Sequence, residues 1–395
     1  MPNLEALVTP GVVRWARLRA KLSVAEVAKK ISVSPPTRVE AWEQDDGEDR
    51  PTFRQAQNLA DALHVPFGYL FLPEPPVEPL PLPDLRTKPN RATRLTPSSE
   101  FLDVAYDAMR KQEWYHEYLQ NQDAHSISFV GKYTETTPVT TVAADIRRVL
   151  GMNDNLRREA RDNDDYFRLL VARAERSGVM VVRTSIVGNN THRTLDPNEF
   201  QGFAKADNLA PLVFVNQNDY QSAQIFTLMH ELAHIWIGVS GISDSDYLEK
   251  PETDSTLHQR RADQIAAEAL VPGVEFALRW DNSDDDARDR LARLRRHYKV
   301  SVFVLLRRAY DLGKLSASEY RSLYEELGQQ VRSKKAGGGG GGYSSLFSRN
   351  SHTIATAVLH AVFEGKVPPT EGATLLNVRP PTLYSMERFL ASAEA

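Results

Sequence analysis

At 395 residues, the chain has room for two or three domains, and 41% hydrophobic with 25% charged residues is the balance of a folded protein. A net charge of −4 gives no global attraction to nucleic acid or anionic lipid, and the lack of any cysteine excludes both a disulfide framework and a thiolate zinc site. No apolar run reaches bilayer length and the first residues do not read as a secretory signal, so a cytoplasmic protein without a membrane segment is expected.

The first helix is expected from Pro10 to about Ala20, and a second after Ser23, where Glu26 completes a capping box. Ser34-Pro35 reads as an N-cap with proline in the first turn of a third helix, over residues 35–43. Thr52 caps a fourth, bearing Ala56, Leu59, Ala60 and Leu63, and Tyr69-Leu70-Phe71-Leu72 follows Pro66 as a fifth. Leu22-Ser23, Val27-Ala28, Val33-Ser34, Val39 and Trp42-Glu43 at these spacings resemble the lambda-repressor-type helix-turn-helix family. The resemblance implies a five-helix bundle over residues 1–73. Its third helix would enter the major groove and bring Thr37, Arg38 and Ala41 nearest the base edges. Arg14, Arg17, Arg19 and Lys21 would hold the DNA backbone. Glu40, Glu43, Asp45, Asp46, Glu48 and Asp49 oppose phosphate contacts, so a bundle used for protein contact or as a homodimer interface is the alternative.

Residues 74–90 form a proline-rich, extended linker, beginning Glu74-Pro75-Pro76. A peptidase-like domain is expected over residues 91–335. It opens with helices near residues 98–119, 141–150 and 166–176, the last stopped by Gly178. Strands are expected at residues 179–184, 200–204 and 211–216, the middle one as a sheet edge able to pair with an extended substrate.

The chemistry is concentrated in His230-Glu231-Leu232-Ala233-His234. Residues four apart on a helix stand one above the other, so both imidazoles can reach one metal ion with Glu231 beside them. A catalytic zinc site needs a third protein ligand and an open position for water, and Glu231 is placed to take that water's proton. A second helix, from Leu257 to Val271, is rich in small residues and supplies the candidates for the rest of the site. The motif, preceded by Phe226-Thr227-Leu228 and followed by Ala262-Asp263, Ala266-Ala267-Glu268 and Leu270-Val271-Pro272, resembles the ImmA/IrrE metallopeptidases. The resemblance covers roughly residues 84–330 and implies a zincin-like fold with Zn2+ as cofactor. Where that family carries a glutamate ligand, this chain has Gln259. Either Gln259 or the neighbouring His258 is then the third ligand, and Asp263 the residue that orients a histidine. Tyr220, Tyr247 and His258 are the candidates for stabilising an oxyanion.

Beyond Pro272, Arg288, Arg290, Arg293, Arg295 and Arg296 form a basic cluster that neighbouring aspartates nearly cancel. Residues 336–395 comprise a glycine-rich linker and a helical region. Ile354, Ala357, Val358, Ala361 and Val362 form an amphipathic helical stripe, and the helix-turn-helix-like unit from Thr370 to Val378 is expected to pack on the peptidase domain rather than hold DNA. The whole reads as an α+β, mainly helical protein. By resemblance it is an intracellular zinc endopeptidase that cuts a helix-turn-helix repressor or antitoxin in a stress, mobile-element, phage-defence or toxin–antitoxin setting. The alternative is a DNA-binding regulator that uses a degraded zincin fold as a sensor.

Overall fold

The computed structural model describes residues 4–45, 49–85, 97–243, 257–282, 285–331 and 342–394. The chain falls into two compact units, Met1–Pro81 with Thr93–Ala105, and Leu82–Ala92 with Tyr106–Ala395.

In the first unit, α1 (Pro10–Arg19), α2 (Val24–Lys30), α3 (Thr37–Ala41), α4 (Phe53–Leu63) and a 3-10 turn at Phe67–Phe71 enclose Val13, Ala16, Val27, Val39, Trp42, Leu59 and Leu63. The capping boxes of α2 and α4 form as their sequences require: Ser23 with Glu26 and Thr52 with Gln55. The third helix is shorter than expected. Its first donors are Arg38 N–H to Pro35 O at 3.1 Å and Val39 N–H to Pro36 O at 2.9 Å, and the helix ends at Ala41.

The second unit takes in the greater part of α5 (Ser99–Gln120), then α6 (Val139–Val149), α7 (Asp154–Glu159) and α8 (Asn163–Arg176). Gly178, at φ +98°, turns the chain from α8 into β1 (Met180–Thr184). A two-stranded hairpin, β2 (Ile186–Val187) with β3 (Asn190–Thr194), precedes β4 (Gly202–Lys205) and β5 (Leu212–Asn216). The helix α9 (Gln221–Ile237) follows, then β6 (Gly241–Ser243) and α10 (Leu257–Leu270). The remaining helices are α11 (Gly273–Asp281), α12 (Ala287–Tyr298), α13 (Val302–Asp311), α14 (Ala317–Val331), α15 (Tyr343–Asn350), α16 (His352–Phe363), α17 (Pro369–Leu375) and α18 (Pro380–Glu394). Among the described residues, no helix is long and apolar enough to cross a membrane.

The main sheet has the order β1-β5-β4-β6, with β1 parallel to β5 and the other pairs antiparallel. All five residues of β5 are buried, as its unbroken Leu-Val-Phe-Val run requires of an interior strand. This order corrects one expectation: β4 is not an edge. Gly202 pairs with Val215 on one side and Ser243 on the other, because the short β6, which has no periodic signature, adds outside it. The outer side of β6 is paired in turn with residues 83–85, through Ile242 N–H to Pro83 O at 2.9 Å and Leu85 N–H to Ile242 O at 3.1 Å.

Helix α9 is buried on every face from Gln224 to Ile237, with Leu228, Met229, Leu232, Ile235 and Trp236 fully buried. Each such side chain contributes about 1.5–3 kcal/mol on burial. Trp236 stacks on Phe129 at 4.1 Å and donates its indole N–H to Asp145 at 3.0 Å, which fixes the end of the helix. Gly238, at φ +73°, caps it. Across α9 lies α10, where Ala262, Ala266, Ala267 and Ala269 allow close approach. At the other end of the sheet, α15 and α16 pack along β1.

Candidate metal centre

His230, Glu231 and His234 lie on α9 with no exposed surface. The two imidazoles face each other, Nε2 to Nε2, at 3.1 Å. Two ligands of a tetrahedral zinc, each about 2.05 Å from the ion, stand about 3.3 Å apart, so the pair already has the spacing of donors to one cation. From α10, Asp263 Oδ1 lies 2.8 Å from His230 Nδ1. A proton held there leaves Nε2 with its lone pair. Gln259, one turn before Asp263 and 1% exposed, is among the groups that raise the His230 pKa. Its Nε2 donates to Ser243 Oγ at 3.2 Å, and that hydroxyl donates to Glu231 Oε2 at 3.3 Å. One face of α10 and the end of β6 thus bring Gln259, Asp263 and Ser243 to the motif helix.

The electrostatics follow from burial. Burial alone would discharge His230, but the charge and hydrogen bond of Asp263 outweigh it and raise its pKa. His234 has no such partner: burial and the neighbouring His230 hold its pKa well below the usual imidazole value, so it is the neutral ligand form. Burial pushes the Glu231 carboxyl up to about 8, against the lowering pull of His230 and Ser243. Glu231 Oε1 and His234 Nδ1 are buried without a hydrogen-bond partner among the described residues. Leaving such an atom unpaired costs about 1–3 kcal/mol. Converging nitrogens, an orienting carboxylate and an amide one turn away fit a divalent cation.

Sequence reasoning missed two contributors. A Cβ on Gly202 would lie 2.8 Å from Glu231 Oε1 and 2.9 Å from Thr227 Cγ2, so only glycine lets β4 run this close to the carboxylate. An isolated glycine inside a strand pattern was the available signal. Ser243 gave none, since it ends a three-residue strand outside any motif.

The other candidates are placed elsewhere. His258 is 40% exposed and pairs with Glu135, and its charge acts on His234. Tyr220 is half exposed at the start of α9, and Tyr247 lies outside the described residues. Glu268 receives the Gly273 N–H and pairs with Arg308, a structural role. In the first unit Thr37 is exposed while Arg38 and Ala41 are half-buried. Arg38 is held by Asp49 at 2.7 and 2.9 Å. Arg17 is bound by Glu43, and Arg19 by Glu78 and Asp103, which removes two of the four expected phosphate contacts from ready use. In the basic cluster, Arg288 pairs with Glu326 and Arg290 lies over the Trp280 ring; Asp284, one of the neighbouring aspartates, lies outside the described residues.

A second group with ligand-like spacing comprises Asp154, Glu275 and His297. It already encloses a cation. Arg157 Nη1 lies 2.9 Å from Asp154, 3.0 Å from Glu275 and 3.2 Å from His297 Nε2.

Residues 174–310 match the model of the IrrE N-terminal-like domain, a peptidase family. The second unit carries an IrrE-like peptidase domain. Residues 13–70 match the helix-turn-helix model, within the span its motifs implied, so both resemblances in the sequence are shown. No curated protein matched the chain. The IrrE-like match runs from the end of α8 to α13 and takes in the whole main sheet, α9 and α10, hence every residue of the centre described above.

Proposed function

We propose that the protein is a zinc-dependent endopeptidase that controls transcription by cutting a helix-turn-helix repressor or antitoxin at one site. The observation that carries this reading is the 3.1 Å approach of the two buried Nε2 atoms, with the buried Glu231 on the same helix. His230, His234 and Gln259 would hold the ion. Gln259 is preferred to His258 because it is buried and joined through Ser243 to Glu231, while His258 is 40% exposed and pairs with Glu135. A zinc ion bound there would lower the pKa of a coordinated water and polarise the scissile carbonyl. Glu231 would accept the water proton on Oε1, since Oε2 is held by Ser243, and return it to the leaving amine. Asp263 would keep His230 oriented. An extended substrate approaching the sheet beside Ser243 meets an edge already paired with residues 83–85, which supports a protease that is latent until triggered.

The reading keeps the organisation 1–73, 74–90, 91–335 and 336–395, a cytoplasmic location, and a helix-turn-helix domain that binds DNA or a second copy of the chain. A regulator that senses without cutting is favoured by one observation, the neutral Gln259 in place of a charged ligand. Glu231→Gln separates the two. Cleavage of the repressor encoded beside the gene should fall about 10²–10⁴-fold with zinc retained. Unchanged regulatory output in cells carrying the variant would favour the sensor.

A further inference from the structure

A cleft of about 560 Å³ lies between the peptidase fold and the C-terminal helices, at the β1 end of the sheet. Its walls include Arg176 of α8, Arg183 of β1, Ser344, Phe347 and Ser348 of α15, and Phe389 of α18. The volume is that of a small-molecule site. The metal centre is at the other end, against β4 and β6, so this cleft is no extension of it.

Charge decides what the cleft would take. Arg168, Arg176 and Arg183 line it together with a single carboxylate, Glu175. That carboxylate is engaged at the start of α16, accepting from Ser351 Oγ at 2.6 Å and His352 N–H at 2.8 Å. Arg168 is bound to Asp165 at 2.8 Å. Arg176 and Arg183 are left without a carboxylate hydrogen bond among the described residues. Arg183 lies over the Phe167 ring at 5.1 Å, and its Nε is buried with no acceptor. Glu175 acts on Arg183 through its charge without a hydrogen bond, and two guanidiniums whose donors are committed to no carboxylate match a dianion, forking onto phosphoryl oxygens better than a point charge does. The two serine hydroxyls are further donors, while Phe347, Phe389, Val171 and Val181 make the rest of the wall apolar.

We propose that this cleft binds a phosphate monoester with an aromatic body, the phosphate on Arg176 and Arg183 and the ring against Phe347 and Phe389. A phosphate monoester carries about −1.5 to −2 at neutral pH, which suits two guanidiniums; a carboxylate leaves one uncompensated. The site spans β1 and α15, so occupancy would tie the C-terminal helices to the sheet. The proposal does not depend on peptidase activity.

Calorimetric titration of the full chain with phenyl phosphate tests it, with inorganic phosphate, benzoate and phenol as separate arms. Saturable binding at one site per chain is expected, about tenfold or more tighter than for any of the other three. Arg176→Gln, an exposed position, should weaken it by about tenfold, as should Arg183→Gln if that variant folds. Arg296→Gln, on a different basic surface, should leave it unchanged. No saturable binding at millimolar phenyl phosphate would overturn the proposal, as would benzoate or inorganic phosphate binding equally well. So would full affinity in Arg176→Gln, or an equal loss in Arg296→Gln.

Discussion

Two clusters in the same unit place histidine and carboxylate atoms at ligand-like spacing, and they differ in what sits between them. At Asp154, Glu275 and His297 the guanidinium of Arg157 occupies the centre and meets all three. At His230 and His234 no lysine or arginine hydrogen-bonds either imidazole or Glu231 among the described residues, and the two nitrogens turn toward each other. Proximity of ligand-type residues is therefore a poor guide to metal binding. What separates a structural ion cluster from a metal centre is whether the protein supplies its own cation.

That contrast can be broken at either cluster. Removing the resident cation should have the largest effect on folding: Arg157→Met takes a buried charge from between Asp154, Glu275 and His297, leaving Glu275 only Arg279 and His297, and should cost about 3 kcal/mol by denaturant unfolding, with bound metal unchanged. A loss of metal in that variant would mean that the two clusters are not independent. On the other side, Asp263→Asn should weaken zinc affinity about 10–100-fold by removing the orienting carboxylate. Gln259→Glu should move affinity the opposite way, by adding a charged ligand; an unchanged affinity in competition with a chelator would remove Gln259 from the coordination set. The smallest effect is on pH. Burial alone would raise the Glu275 pKa, but His297 and Arg157 outweigh it and hold it at about 2. A depressed carboxylate stabilises the fold above its ordinary pKa, and that stability is lost as pH falls from about 4.5 toward 2. After allowance for solvent screening the loss should be about 1–2 kcal/mol, and Glu275→Gln should flatten the acid limb of a stability profile.

The comparison also marks what the sequence made legible. The i, i+4 histidines could be read at once because helix geometry stacks them, and the small-residue stripe of α10 announced close packing beside α9. The capping boxes at Ser23 and Thr52 set two helix starts for the same local reason. Features that depend on which strands become neighbours were not legible. The burial of β4 behind β6, the room that Gly202 leaves for Glu231, and Ser243 bridging Glu231 and Gln259 all arise from pairing across distant segments. Arg157 lies in no motif of the sequence and becomes the centre of a cluster only when α7, α11 and α12 come together. In the helix-turn-helix unit the acidic character was visible in the sequence, but the partners Asp49 for Arg38 and Glu43 for Arg17 were not.

The most direct test is the zinc content of the purified full chain, measured by elemental analysis after equilibration with limiting zinc, in wild type, His234→Ala and His297→Ala. One zinc per chain is expected in wild type and in His297→Ala, and none in His234→Ala. Metal-free wild-type protein, or zinc that disappears with His297 rather than with His234, would contradict the account.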